Sequence, residues 1–274
     1  MVILLFIIFL SSFSVHYFIY LSRGFIPGEY YNLLVSKNWA ETGRLSYESA
    51  ENVVLSVENV VSQGTPTNLG NKLIFFLYGF LFRLFSFQPE IPLYTSFILY
   101  SLAAIFIFLI ARRIFDWKAG LIIAFLNIVA PFSLPATNKI GHHEWAWLFL
   151  VLATFFYFWP KERKTKNLIL TGLFLGLSTA AKNSFFVAIP AFLFLEIWEY
   201  RRAVKMGFLK AGILFFVFLI FSAPFMFIGG NSYLSQMLGF ANNYSPSFSG
   251  FGHLFPDAYT FHYDKENFLK NITA

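Results

Sequence analysis

The chain has 274 residues, of which 57% are hydrophobic and 12% charged, against ~25% charged in soluble domains. That balance excludes an ordinary soluble domain, and the absence of cysteine excludes a disulfide frame, a thiolate metal site and a cysteine nucleophile. The net charge of +6 sits largely in short basic loops between apolar runs, which points to a membrane and not to nucleic acid.

Eight apolar runs follow one another: 2–21, 72–87, 92–111, 119–135, 145–159, 168–181, 185–198 and 208–228. Several reach the ~17–25 residues of a membrane-spanning helix. They are continuous, whereas an outer-membrane barrel needs short alternating segments. The class is therefore all-α, a polytopic helical membrane protein. Run 2–21 has no basic start and no small-residue cleavage site, so it reads as a retained span and not as a signal peptide.

Polar islands separate the runs. The first, 22–71, opens on an isolated acid, Glu29, followed by Tyr30. Segments 30–42 and 47–61 carry apolar residues at helical spacing, which suits helices lying along a membrane or against a bundle. Run 72–87 begins at Lys72 and carries Arg83 within it. The island "PATNKIGHHEWAW", 135–147, places His142, His143 and Glu144 at the mouth of a span. Those side chains suit a divalent cation, a proton relay, a sugar hydroxyl, or a plain interfacial cluster beside Trp145 and Trp147. In "GLFLGLSTAAKNSFFVAIP", 172–190, Lys182 and Asn183 interrupt an apolar hairpin. An ammonium at that depth either pairs with an anion such as phosphate or snorkels to the headgroups. The tail 229–274 is rich in aromatics, Gly and Asn.

Strict alternation of eight crossings would separate the basic loops from the cytoplasm if 22–71 lies outside. The loops around Arg112, Lys161 and Arg201 hold eleven of the twenty Lys and Arg residues, and such loops belong inside. The solution adopted is seven crossings, with 72–87 lying at the outer surface so that Arg83 reaches water or headgroups. The islands 22–71, 136–144 and 181–184 then share the outer face.

In this order the islands resemble the GT-C membrane glycosyltransferases that use polyprenyl-phosphate sugars, namely the protein O-mannosyltransferases and lipid A aminoarabinose transferases. The resemblance is carried by "GEYYNLLVSKNWAETG" (28–43), by "LFRLFSF" (81–87) with "ARRIFDWKAG" (111–120), by "SLPATNKIGHHEW" (133–145), and by the hairpin 172–190. It implies a GT-C-like transmembrane module over 1–228, with juxtamembrane helices in a first outer loop, 22–90, and a truncated outer loop over 229–274. It implies a polyprenyl-phosphate sugar as donor, membrane lipid around the spans, and a protein, lipid or glycan as acceptor. In the family motif an Asp precedes the Glu. Here Gly28 occupies that place, leaving Glu29 as the candidate base.

The resemblance assigns Glu29 and Glu144 as catalytic residues. Lys182, His142, His143, Arg83, Lys72 and Tyr30 become substrate-binding residues, with a divalent cation as an optional cofactor at His142, His143 and Glu144. The expected setting is a bacterial or archaeal plasma membrane, or an endoplasmic reticulum membrane, with the site facing outside. The alternative is a non-catalytic pseudoenzyme or partner subunit of a split transferase. A transporter is a weaker third reading.

Overall fold

The structure is a computed structural model that describes residues 1–23, 30–43, 72–88, 90–129, 143–160 and 164–227. Gly28, Glu29, His142, the segment 47–61 and the tail from 228 onward lie outside those residues. The described residues are helical: α1 (Val2–Arg23), α2 (Tyr30–Thr42), α3 (Lys72–Phe85), α4 (Glu90–Ile114), α5 (Trp117–Val129), α6 (His143–Phe158), α7 (Thr165–Ala181), a 3-10 turn (Asn183–Val187), α8 (Ala188–Glu199) and α9 (Val204–Phe227). The run 119–135 is described as helix only to Val129.

Local chemistry sets several boundaries. Pro92 and Pro190 each stand in a first turn, where a missing N–H forfeits no helix bond. Asp116 caps α5 by accepting the Ala119 N–H at 2.8 Å. Gly43 closes α2 at φ +73°, its N–H donating to the Trp39 carbonyl at 2.9 Å. Elsewhere the helices follow from long apolar stretches, and their outer surfaces stay apolar. Phe6, Phe18, Phe80, Phe125, Phe194 and Phe216 are all exposed. Such breadth of apolar surface suits lipid and not water.

Among the described residues, three helices are long and apolar enough to cross a bilayer: Val2–Ile19, Glu90–Ile114 and Val204–Phe225. Helices 73–85, 117–129 and 143–158 are shorter apolar ones. This is an integral helical membrane protein.

Contacts fix the directions of the helices. Met1 Sδ accepts from Arg112 Nη1 at 3.0 Å, and His16 stacks on Tyr100 at 5.2 Å, so α1 and α4 are antiparallel. Ser96 meets Glu144 and Phe106 meets Phe155, so α4 and α6 run the same way. Ser178 donates to the Ala146 carbonyl, making α6 and α7 antiparallel. Gly172 and Gly176 lie against Leu214 and Phe218, making α7 and α9 parallel. A Cβ at Gly172 would stand 2.6 Å from the Leu214 carbonyl oxygen, and one at Gly176 2.8 Å from that of Phe218. Glycine is required here because backbone meets backbone.

The bundle therefore has two poles. One gathers Arg112, Arg113, Lys118, Arg201 and Arg202. The other gathers the end of α1, the start of α4, the start of α6, and the α7–α8 reversal. Helices α2 and α3 belong to this second pole. Leu33, Ile74, Tyr78 and Phe82 share a core cluster there with Ala146, Ala180 and Ala181.

Candidate active site

Of the polar side chains singled out in the sequence, His143, Glu144, Lys182 and Arg83 lie at the second pole. Lys182 follows the last residue of α7, where the negative end of the helix dipole favours a cation. Its backbone N–H donates to the Ser178 carbonyl at 2.9 Å, and its own carbonyl accepts from Phe185 at 3.0 Å. The chain thus turns around Lys182 into the 3-10 helix, and the ammonium is aimed back at the start of α6.

There it meets His143. Lys182 Nζ lies 2.7 Å from His143 Nδ1 and 2.6 Å from Nε2. The contact joins the end of α7 to the start of α6.

Glu144, the next residue, stands in the first turn of α6, where a carboxylate is favoured by the helix dipole. It is 1% exposed. Its Oε1 accepts from Ser96 Oγ at 3.3 Å, tying α6 to α4. Ser178 Oγ donates to the Ala146 carbonyl at 2.8 Å, tying α7 to the same first turns of α6. Three helices are therefore cross-linked by polar contacts within one layer of the pole.

Helices α2 and α3 cover this layer. Gly79 lets α3 approach α2 closely, because a Cβ there would stand 2.4 Å from Trp39 Cε3. Trp39 packs edge-on against Phe76 at 5.1 Å. Arg83 then reaches back to the end of α2. Its Nε donates to the Ala40 carbonyl at 3.0 Å and its Nη2 to the Trp39 carbonyl at 3.2 Å. The guanidinium carbon sits 4.4 Å from the Trp39 ring centroid. Arg83 thus caps the negative end of α2 and stacks on its last aromatic residue.

Tyr30 and Lys72 are the first residues of α2 and α3. The structure brings together His143, Glu144 and Lys182 at one layer, with Arg83 on the packed α2–α3 pair. Among the described residues, no group of three His, Asp or Glu side chains could hold a metal ion.

The sequence did not single out Ser96, His16 or Glu196. Ser96 and Glu196 are 0% exposed and His16 is 1% exposed. A hydroxyl or imidazole within an apolar run does signal a buried polar contact, but not its partner. Glu196 belongs to the opposite pole, one turn before Tyr200.

A family model for dolichyl-phosphate-mannose-protein mannosyltransferase matches residues 72–227, more than half of the chain. The chain belongs to that family. No curated protein and no solved structure matches it. The mannosyltransferase match spans α3 to α9 and so takes in Arg83, His143, Glu144 and Lys182, while Glu29 precedes it. Membership of this mannosyltransferase family implies glycosyl transfer from a polyprenyl-phosphate sugar. The apolar helices agree with a substrate whose lipid tail stays in the bilayer.

Proposed function

We propose that this chain is an inverting membrane glycosyltransferase that moves a sugar from a polyprenyl phosphate to an acceptor hydroxyl at the outer face. The observation that carries this reading is the layer in which Lys182, His143 and Glu144 meet beside the α2–α3 pair. A lipid-linked phosphosugar needs a cation where its phosphate sits and polar groups where its sugar sits. The poles support the orientation, since the basic loops gather opposite the site. Arg83 within α3 supports that helix lying at the surface.

In this mechanism Glu29 removes the acceptor's hydroxyl proton as that oxygen attacks the anomeric carbon. The bond from the anomeric carbon to the phosphate oxygen breaks, and the phosphate leaves with the electron pair. Lys182 stabilises that growing negative charge. Lys72, at the start of α3, adds a second cation. Glu144 and the imidazoles of His142 and His143 would orient the sugar or hold a divalent cation, and Tyr30 would contribute to substrate binding. Arg83 acts through α2, fixing the helix that follows Glu29. The acceptor is a protein, lipid or glycan hydroxyl. The setting is a bacterial or archaeal plasma membrane, or an endoplasmic reticulum membrane.

Gly28 favours a second reading, a non-catalytic partner subunit, because the family's Asp is missing there. Transfer from a lipid-linked mannose donor by purified Glu29→Gln and Lys182→Ala variants separates the two. The catalytic reading expects both to lose most activity. Unchanged transfer in both would sink it.

A further inference from the structure

At the basic pole, α1, α4 and α5 meet around a recess of about 400 Å³ lined by Met1, Leu4, Phe108, Arg112, Asp116 and Trp117. Gly120 makes this corner close. A Cβ there would stand 3.0 Å from the Phe108 carbonyl oxygen and 3.2 Å from Arg112 Cβ, so the start of α5 lies against the last turns of α4. Leu4 and Phe108 give the recess an apolar wall. Arg112 and Asp116 give it opposite charges.

Those charges do not satisfy each other. A guanidinium carries five N–H donors, and among the described residues the hydrogen-bond partner of Arg112 is the Met1 thioether at 3.0 Å, a weak acceptor. Asp116 accepts the Ala119 N–H through Oδ1 at 2.8 Å. Among the described residues no ion pair joins Asp116 to Arg112, although both line the same space. A zwitterion placed between them would meet both.

The surroundings select the kind of zwitterion. Helices α1 and α4 are long and apolar enough to cross a bilayer, and the recess lies at their ends, where headgroups sit. Val2, Phe6, Ile122 and Phe125 on α1 and α5 are exposed, which suits acyl chains. Trp117, also exposed, has the amphipathic ring common at a membrane interface.

We propose that this recess holds the headgroup of a phosphatidylethanolamine molecule, its phosphate on Arg112 and its ammonium on Asp116. The planar guanidinium matches phosphate oxygens. A primary ammonium offers three N–H donors to the carboxylate, which the trimethylammonium of a choline lipid lacks. A glycerol headgroup brings no cation to Asp116 at all. The lipid would tie α1 to the α4–α5 pair.

The purified full chain in detergent tests this, titrated with dioleoyl phosphatidylethanolamine, phosphatidylcholine or phosphatidylglycerol and followed by native mass spectrometry. The wild-type chain should bind the ethanolamine lipid about fivefold more tightly than either other lipid, the scale of one favourable ion pair at a surface. Asp116→Asn should abolish that preference and keep the start of α5, because asparagine caps a helix about as well as aspartate. Arg112→Gln should weaken the binding of all three lipids. Arg113→Gln removes an equal charge outside the recess and should leave the preference unchanged. The proposal fails if the wild-type chain shows no preference, if the preference survives Asp116→Asn, or if Arg113→Gln costs as much binding as Arg112→Gln. Tighter binding of phosphatidylglycerol would mark a plain anionic-lipid surface and overturn it as well.

Discussion

Lys182 owes its placement to two unrelated features: the end of α7, which favours its charge, and its polar contact with the imidazole of His143. Replacing it with alanine should lower kcat/KM for transfer about 100-fold, the scale of losing one preorganised charge partner at a leaving group. Lys182→Arg should recover part of this loss, since charge is kept while the compact ammonium is not. Steady-state kinetics with a short-chain lipid-linked donor would read both. The position of Lys182 in an apolar hairpin was legible from sequence because a lone ammonium there breaks the pattern. Its partner was not, because His142 and His143 stand side by side and only the turn at which α6 begins selects between them. The burial of Glu144 was not legible for a similar reason. Whether the first turn of a helix faces its neighbours or the solvent depends on where those neighbours pack.

At the scale of elements, the helices themselves were legible, because long apolar runs admit little else in a membrane. Their pairings came from glycines. Gly176→Val should force α7 away from the Phe218 carbonyl and destabilise the bundle by about 1–3 kcal/mol, as overpacking does. Gly212 faces open space, so Gly212→Ala should leave stability unchanged or slightly raised. Thermal unfolding in detergent would compare the two. Helix α2 depends on Arg83 in a way no pattern in 30–42 announces, since orphan carbonyls at a helix end do not encode who will cap them. Arg83→Ala should speed hydrogen exchange at the amides of Asn38 to Gly43 by about fivefold, the scale of losing a favourable charge at a helix end. Unaltered exchange there would mean that the Trp39 and Gly79 packing alone holds α2.

For the whole molecule, the basic loops had already predicted which helix ends lie together, and the contacts place Arg112, Arg113 and Arg201 at one pole and Lys182 at the other. The chain has no cysteine, so single-cysteine variants report topology without a background to remove. Glu41→Cys and Gln88→Cys should label from one side of the membrane, and Asp116→Cys and Arg202→Cys from the other, with a membrane-impermeant thiol reagent. Labelling of 41 and 116 from the same side would dismantle the two-pole arrangement. The glycine contacts between α7 and α9 carry one more implication. They act as a depth gauge. Lys182 comes six residues after Gly176, and α7 can rest on α9 at only one height while Gly172 and Gly176 both lie flush against it. Sliding α7 by one residue would carry the ammonium about 1.5 Å along the bundle axis. In the proposed function, where Lys182 meets a phosphate tethered to a lipid, the height of that charge is set by a groove about two turns away, and a larger side chain in that groove would mistune the meeting without touching either partner.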